Sequence, residues 1–181
     1  MPETDSELRA LREEVARLQR QVAFLSKHRT LAAGMTGETL VASLLDGEVS
    51  AEAVGFGVVS GKGHRIKVKT ARLTAGDSSF RSRRWQWAKI LGENGMSQYD
   101  YLVLVGEAND RFAELYRNGG APFVFFLIPY DKVFGLTTGG EKTRRSILLS
   151  SDPRCPRSPA AVRLYNEFQV GPDELRQRIG V

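Results

Sequence analysis

Cysteine is nearly absent from this chain. Cys155 is the only one in 181 residues, so no disulfide can form within it, and the composition suits a reducing compartment. It lies in "SDPRCPRSP", between prolines and with no base nearby in sequence, which argues against a catalytic thiol. Histidine is scarce as well. His28 and His64 stand far apart with no second ligand type beside either, so no histidine-based metal site is expected. Long apolar runs are missing: "FVFFLIP" falls well short of the ~20 residues that a spanning helix needs. The acidic, polar start does not read as a signal peptide, so the expectation is a cytoplasmic protein with no membrane partner. The glycine-rich pieces "SGKG" and "TTGGEKT" lack the P-loop spacing, which gives no support to ATP or GTP hydrolysis.

What is present is a basic balance and strong patterning. Lys and Arg number 26 against 21 acids, a net charge of +5 that favours polyanionic partners. In "DSELRALREEVARLQRQVAFLSKHR", Leu8, Leu11, Val15, Leu18, Val22 and Leu25 alternate at spacings of three and four. That seam predicts a helical arm over 1–30, either a parallel two-stranded coil that makes a homodimer or an amphipathic helix lying on its own domain. "AAGMTGETLVASLLDG" predicts a helix at about 35–46, with Leu40, Val41, Leu44 and Leu45 on its buried side. "AEAVGFGVVSGKGHRIKVKTARL" predicts two strands, about 53–60 and 64–71, joined by the "SGKG" turn. "TAGDSSFRSRRWQWAKILGENGMSQ" has no clean period and reads as a long excursion.

"YDYLVLVGE" and "PFVFFLIP" are continuous apolar runs, the mark of central strands covered on both faces. "NDRFAELYRNGG" reads as a short helix between them, and "RRSILLS" as an edge strand. "SPAAVRLYNEF" and "GPDELRQRI" each start a helix with proline in the first turn. The expected fold class is therefore mixed α/β: a central sheet flanked by helices over 34–150, an N-terminal arm over 1–30, and a C-terminal helical extension over 151–181.

Two constellations carry the chemistry. In "GHRIKVKTARL", Lys67 and Lys69 share one face of the strand because side chains two apart point the same way. In "SFRSRRWQWAKI", Arg81, Arg83, Arg84 and Lys89 interleave with Phe80, Trp85 and Trp87. Such basic groups neutralise phosphates, and aromatics stack on bases or wedge into a groove. The alternative is that the tryptophans pack into the domain and the arginines are simply solvated. Lys62, Arg65 and Arg72 flank the first constellation and extend the candidate nucleic-acid contacts. "EKTRRS" adds Lys142, Arg144 and Arg145 as a weaker patch. Asp100, at the start of its strand, reads as a cap or loop hydrogen bond.

The order is a helix with "GE", a strand, a turn, a strand with "VK", a tryptophan-bearing segment, "YDYLVLVG" and then "FVFFLIP". Over roughly residues 34 to 134 it resembles the PD-(D/E)xK nuclease superfamily, with closest likeness to its small intron-endonuclease and resolvase-like branches. The resemblance implies a restriction-endonuclease-like core and a restriction- or homing-type DNA endonuclease that hydrolyses phosphodiesters with Mg²⁺. Glu38 matches the helical Glu, a metal ligand in that family, and Lys69 the catalytic Lys. Two positions depart from the motif: its Glu falls on Lys67, and its Asp at or near Gly57. Glu38, Lys67 and Lys69 sum to +1 where the family site is negative. Unit charges about 5 Å apart interact by ~3 kcal/mol at an effective dielectric near 20, and a divalent ion doubles that, so such a site repels Mg²⁺. Either Asp46, Glu48, Glu52 or Asp77 swings in as a ligand, or the lysines grip a phosphate directly. The expectation is a DNA-binding protein, an endonuclease by descent and impaired in cleavage. The alternative is a non-enzymatic DNA-binding or scaffold protein on the same fold.

Overall fold

A computed structural model of the chain describes residues 37–50, 55–74, 83–91, 98–138 and 145–180. The expected N-terminal arm, and with it the dimerising coil, lies outside the described residues. Helix α1 (Gly37–Leu44) is followed by the short strands β1 (Glu48–Val49) and β2 (Val58–Val59), then β3 (Arg65–Ala71), β4 (Arg84–Trp87) and β5 (Tyr101–Glu107). A 3₁₀ turn (Asp110–Leu115) leads to β6 (Phe123–Pro129) and the single-turn helix α2 (Tyr130–Val133). The chain closes with β7 (Ile147–Ser150), α3 (Pro159–Arg163), a π-helical turn (Leu164–Phe168), β8 (Gln169–Val170) and α4 (Pro172–Ile179).

The architecture is mixed α/β. Six strands form one sheet in the order β1-β2-β3-β5-β6-β8. Strands β3 and β5 run parallel, from Ile66 opposite Tyr101 to Ala71 opposite Gly106, and every other neighbouring pair is antiparallel. The two apolar runs do occupy the centre of the sheet, and all five inner positions of β5 and of β6 are buried. Alternation along them divides the core in two. Val103, Val105, Phe125 and Leu127 join Val41 of α1, Leu45 just past its end, and Leu175 and Ile179 of α4. Leu102, Leu104, Phe126 and Ile128 join Trp85, Trp87, Val133 and Tyr165 on the other side. Removing large apolar side chains from water on both faces is what chiefly holds such a sheet together.

Three expectations change. The long excursion contains β4, whose four residues alternate exposed and buried; it pairs with β7, from Arg84 opposite Ser150 to Trp87 opposite Ile147, in a separate two-stranded sheet. The "NDRFAELYRNGG" helix is a 3₁₀ turn, capped by the Asn109 side chain accepting from the Arg111 N–H at 3.2 Å. Residues 151–180 are built into the same compact unit: β8 pairs with β6, while α3 supplies Ala161, the π turn Leu164 and Phe168, and α4 Leu175 and Ile179 to the core. Among the described residues no helix is long and apolar enough to cross a membrane.

Candidate nucleic-acid interface

The site forms where β2 stops and β3 continues. Val58 and Val59 pair with Ile66 and Arg65, and the Gly57 N–H still donates to the Ile66 carbonyl at 3.0 Å. Beyond Ile66 no β2 residue accompanies β3. The first turn of α1 packs against the Val68 and Thr70 side chains of that stretch. A Cβ on Gly37 would lie 2.0 Å from Thr70 Oγ1 and 3.3 Å from a Val68 methyl, so only glycine lets the helix start this close to β3. The next residue, Glu38, is thereby laid against the end of β2. A Cβ on Gly57 would lie 2.6 Å from Glu38 Oε1. Glu38 and Gly57 are therefore neighbours in space, 19 positions apart in the chain.

Strand β3 sets the lysines. Ile66 and Val68 belong to the core on the α1 side, whereas Ala71 belongs to the opposite one. By strand alternation Lys67 and Lys69 point to the same side as Ala71, and both are half-buried. Burial, and then repulsion from Lys69, lowers the Lys67 pKa to about 8. Its Nζ lies 5.4 Å from the centre of the Tyr99 ring, a cation–π contact that partly offsets the lost hydration. Burial lowers the Lys69 pKa too; Glu38 opposes that shift and Lys89 adds to it. Tyr99 is buried, its hydroxyl donates to the Ile90 carbonyl at 3.3 Å, and burial pushes its pKa far up, so the phenol stays neutral.

Lys89 links the two constellations. The sequence places it with the tryptophan-bearing segment, yet it lies within electrostatic reach of Lys69. Its backbone is left-handed, φ 54, a region that side-chain-bearing residues rarely adopt. Among the described residues, one carboxylate and the ammonium groups of Lys67 and Lys69 lie here with Lys89 within electrostatic reach, formally +2.

These residues do not fit Mg²⁺. The ion takes oxygen ligands, and among the described residues Glu38 is the one carboxylate placed here to supply them. Of the acids that might substitute, Asp46 sits past the far end of α1 and pairs with Arg176, while Glu48 is exposed on β1 opposite Val59. Glu52 and Asp77 lie outside the described residues. Among the described residues no three His, Cys, Asp or Glu side chains converge.

The remaining basic residues divide sharply. Arg65 is exposed but clamped: Asp100 accepts from its backbone N–H at 2.8 Å, from Nη2 at 2.8 Å and from Nε at 3.3 Å. Asp100 thus acts as the expected strand-end hydrogen-bonding residue and also neutralises a residue expected to meet DNA. Lys62, in the β2–β3 turn, donates to the Gln177 carbonyl at 3.3 Å. Arg72, Arg83 and Arg84 are exposed. Arg81, Lys142 and Arg144 lie outside the described residues. Arg145 is half-buried, its guanidinium 4.0 Å over the Phe134 ring.

Trp87 needs correction as a nucleic-acid contact. It is 1% exposed and its indole N–H donates to the Val105 carbonyl at 3.1 Å, so its ring is core and offers no face for stacking. Trp85 is equally buried and donates to the Glu107 carbonyl at 2.9 Å. Because β4 alternates, Arg84 and Gln86 take the outer face that the tryptophans vacate. Tyr99 is a site residue that the sequence alone does not single out; its one signal is an aromatic just ahead of a buried strand. No protein-family model matches the chain, and no curated protein matches it.

Proposed function

We propose that this chain is a DNA-binding protein on the PD-(D/E)xK endonuclease fold, by descent a restriction- or homing-type endonuclease, whose former metal site now grips phosphate. The observation that carries the reading is the juxtaposition of Glu38 with Gly57 beside Lys67 and Lys69. The helical Glu, the strand-end position and the two positions of the next strand stand together, as the resemblance requires, but two of the acids are replaced. The order α1, β2, β3, β5, β6 supports the same descent. With +2 in place of a negative cluster, the group that lowers the energy of the site is an oxyanion.

The phosphate backbone of DNA is such an anion, and the exposed Arg72, Arg83 and Arg84 extend positive charge around it. Cleavage by the family route is not expected, because the one carboxylate that the described residues place at the site cannot by itself hold the ion that generates the nucleophile.

The test is fluorescence anisotropy with duplex, branched and single-stranded DNA in EDTA across a salt series. Three phosphate contacts predict a log–log slope of about −2 to −3. A flat salt dependence, or no binding to any DNA form, rejects the DNA reading. Cutting of plasmid by the unaltered chain with Mg²⁺ or Mn²⁺ rejects the loss of cleavage. A Gly57→Asp, Lys67→Glu version tests the descent: it should gain Mg²⁺ binding in calorimetry where the unaltered chain has none.

A further inference from the structure

With both tryptophans in the core, the aromatic that faces outward is a different one. Among the described residues Phe134 is the one aromatic side chain that is exposed, at 56%. An exposed ring by itself is ordinary. This ring carries a cation: the Arg145 guanidinium lies 4.0 Å over it, with Nη1 donating to Thr137 Oγ1 at 3.3 Å. Arg145 is only half-buried, and its Nε has no hydrogen-bond partner among the described residues. Its charge is therefore short of acceptors, which an oxyanion beside the ring would supply.

The platform is joined to the lysine site by a row of contacts. The Lys67 ammonium lies 5.4 Å from the centre of the Tyr99 ring, and Tyr99 meets Tyr130 edge-on at 5.1 Å between centroids. Tyr130 opens α2, and the helical backbone runs on through Phe134, so the two side chains stand one turn apart on the same helix face. The backbone closes the circuit. The Ile90 carbonyl accepts from the Tyr99 hydroxyl at 3.3 Å, and the Ile90 N–H donates to the Arg145 carbonyl at 3.2 Å. Cations thus stand at both ends of an aromatic row whose open member is Phe134.

A single strand of nucleic acid has that alternation of chemistry, with a flat π face on each base and a charge on each phosphate. In a duplex the bases already stack on one another, whereas an unpaired base is free to stack on a protein ring beside a cation. The geometry points to Phe134, with Arg145 on its ring, as a stacking platform for an unpaired DNA base, with phosphates of the same strand at Arg145 and Lys67. This inference rests on the DNA-binding reading above and names the DNA form.

The experiment measures anisotropy in EDTA with three labelled probes: a thymine oligomer, an oligomer of equal length and charge whose internal sugars carry no base, and a blunt duplex. The base-bearing strand should bind at least five-fold tighter than the baseless one. Phe134→Ala should erase that difference and leave duplex binding unchanged, and Phe134→Trp should keep it. Melting curves check that both variants fold, as the exposure of Phe134 leads one to expect. Photocrosslinking of a 5-iodouracil strand to the unaltered chain needs no variant and should label the peptide that carries Phe134. Equal, salt-sensitive binding to the strands with and without bases overturns the stacking inference and leaves the DNA reading standing. Binding to none of the three probes overturns both. A preference that survives Phe134→Ala, or a crosslink confined to other peptides, overturns the assignment to this ring.

Discussion

Lys67 makes DNA affinity depend on pH in a range where DNA itself does not titrate. Its pKa is lowered to about 8, first by burial and then by Lys69. It is therefore about nine-tenths charged at pH 7 and about one-tenth charged at pH 9. If phosphate binds only the ammonium form, the apparent dissociation constant rises about ten-fold between those values, which corresponds to ~1.4 kcal/mol. Near pH 8 the complex should take up protons, visible as a dependence of the calorimetric enthalpy on the ionisation enthalpy of the buffer. Tyr99 cannot mimic this, since burial holds its phenol neutral throughout. Lys69 is held low as well and contributes a slope of the same sign.

Lys67→Arg is the control: a guanidinium stays charged, so the profile should flatten while binding at pH 7 persists. Stability should move oppositely. Because the folded pKa lies below the ordinary 10.5, the unfolded chain holds more protons between pH 8 and 10.5, and stability rises with pH across that window. Constant affinity from pH 7 to 9, or a full ten-fold slope retained in Lys67→Arg, would refute the role given to this ammonium.

Other substitutions probe the parts that hold the site. Gly106→Ala places a Cβ 2.8 Å from Cε2 and Nε1 of the buried Trp85, which Glu107 fixes by a hydrogen bond; a loss of ~1–3 kcal/mol in urea denaturation is expected. Ser151→Ala removes the acceptor of Asn109 Nδ2, at 2.9 Å, and the donor to the Arg83 carbonyl, at 2.8 Å; ~1–3 kcal/mol should again be lost, and a neutral result would show that water replaces the hydroxyl. Lys67→Met should do the reverse, stabilising the fold by about 1 kcal/mol once solvent screening is allowed for, while weakening DNA binding. A destabilised Lys67→Met would mean that the ammonium serves the fold.

Much of the architecture was legible because burial dictates pattern. The unbroken apolar runs of β5 and β6 follow from cores on both faces, and "RIKVK" alternates because one face of β3 is core and the other half-open. What escaped was set by distant partners. "RWQW" is too short for periodicity to identify, and it is a strand because β7 pairs with it from some sixty residues away. The tryptophans between arginines look like a nucleic-acid motif, yet alternation sends the two residue types to opposite faces. Arg65 looked free because its neutraliser, Asp100, is brought in only by the parallel pairing of β3 with β5. Conversely, the contact between Glu38 and Gly57 depends on Gly37, whose missing side chain admits the helix; in sequence it is just one glycine among 18.

The lysine pair also bears on where binding energy comes from. Lys69 lowers the Lys67 pKa before any ligand arrives and Lys89 acts likewise on Lys69, while among the described residues Glu38 opposes that shift. Hydrophobic side chains on that strand face would pack without such a penalty, so the unliganded protein carries electrostatic strain that its core must offset. An arriving oxyanion relieves that repulsion as well as attracting each ammonium, and the relief adds to affinity only when all three charges are satisfied together. The three lysines should therefore act as a unit: the losses from single substitutions should exceed, in sum, the loss from removing all three.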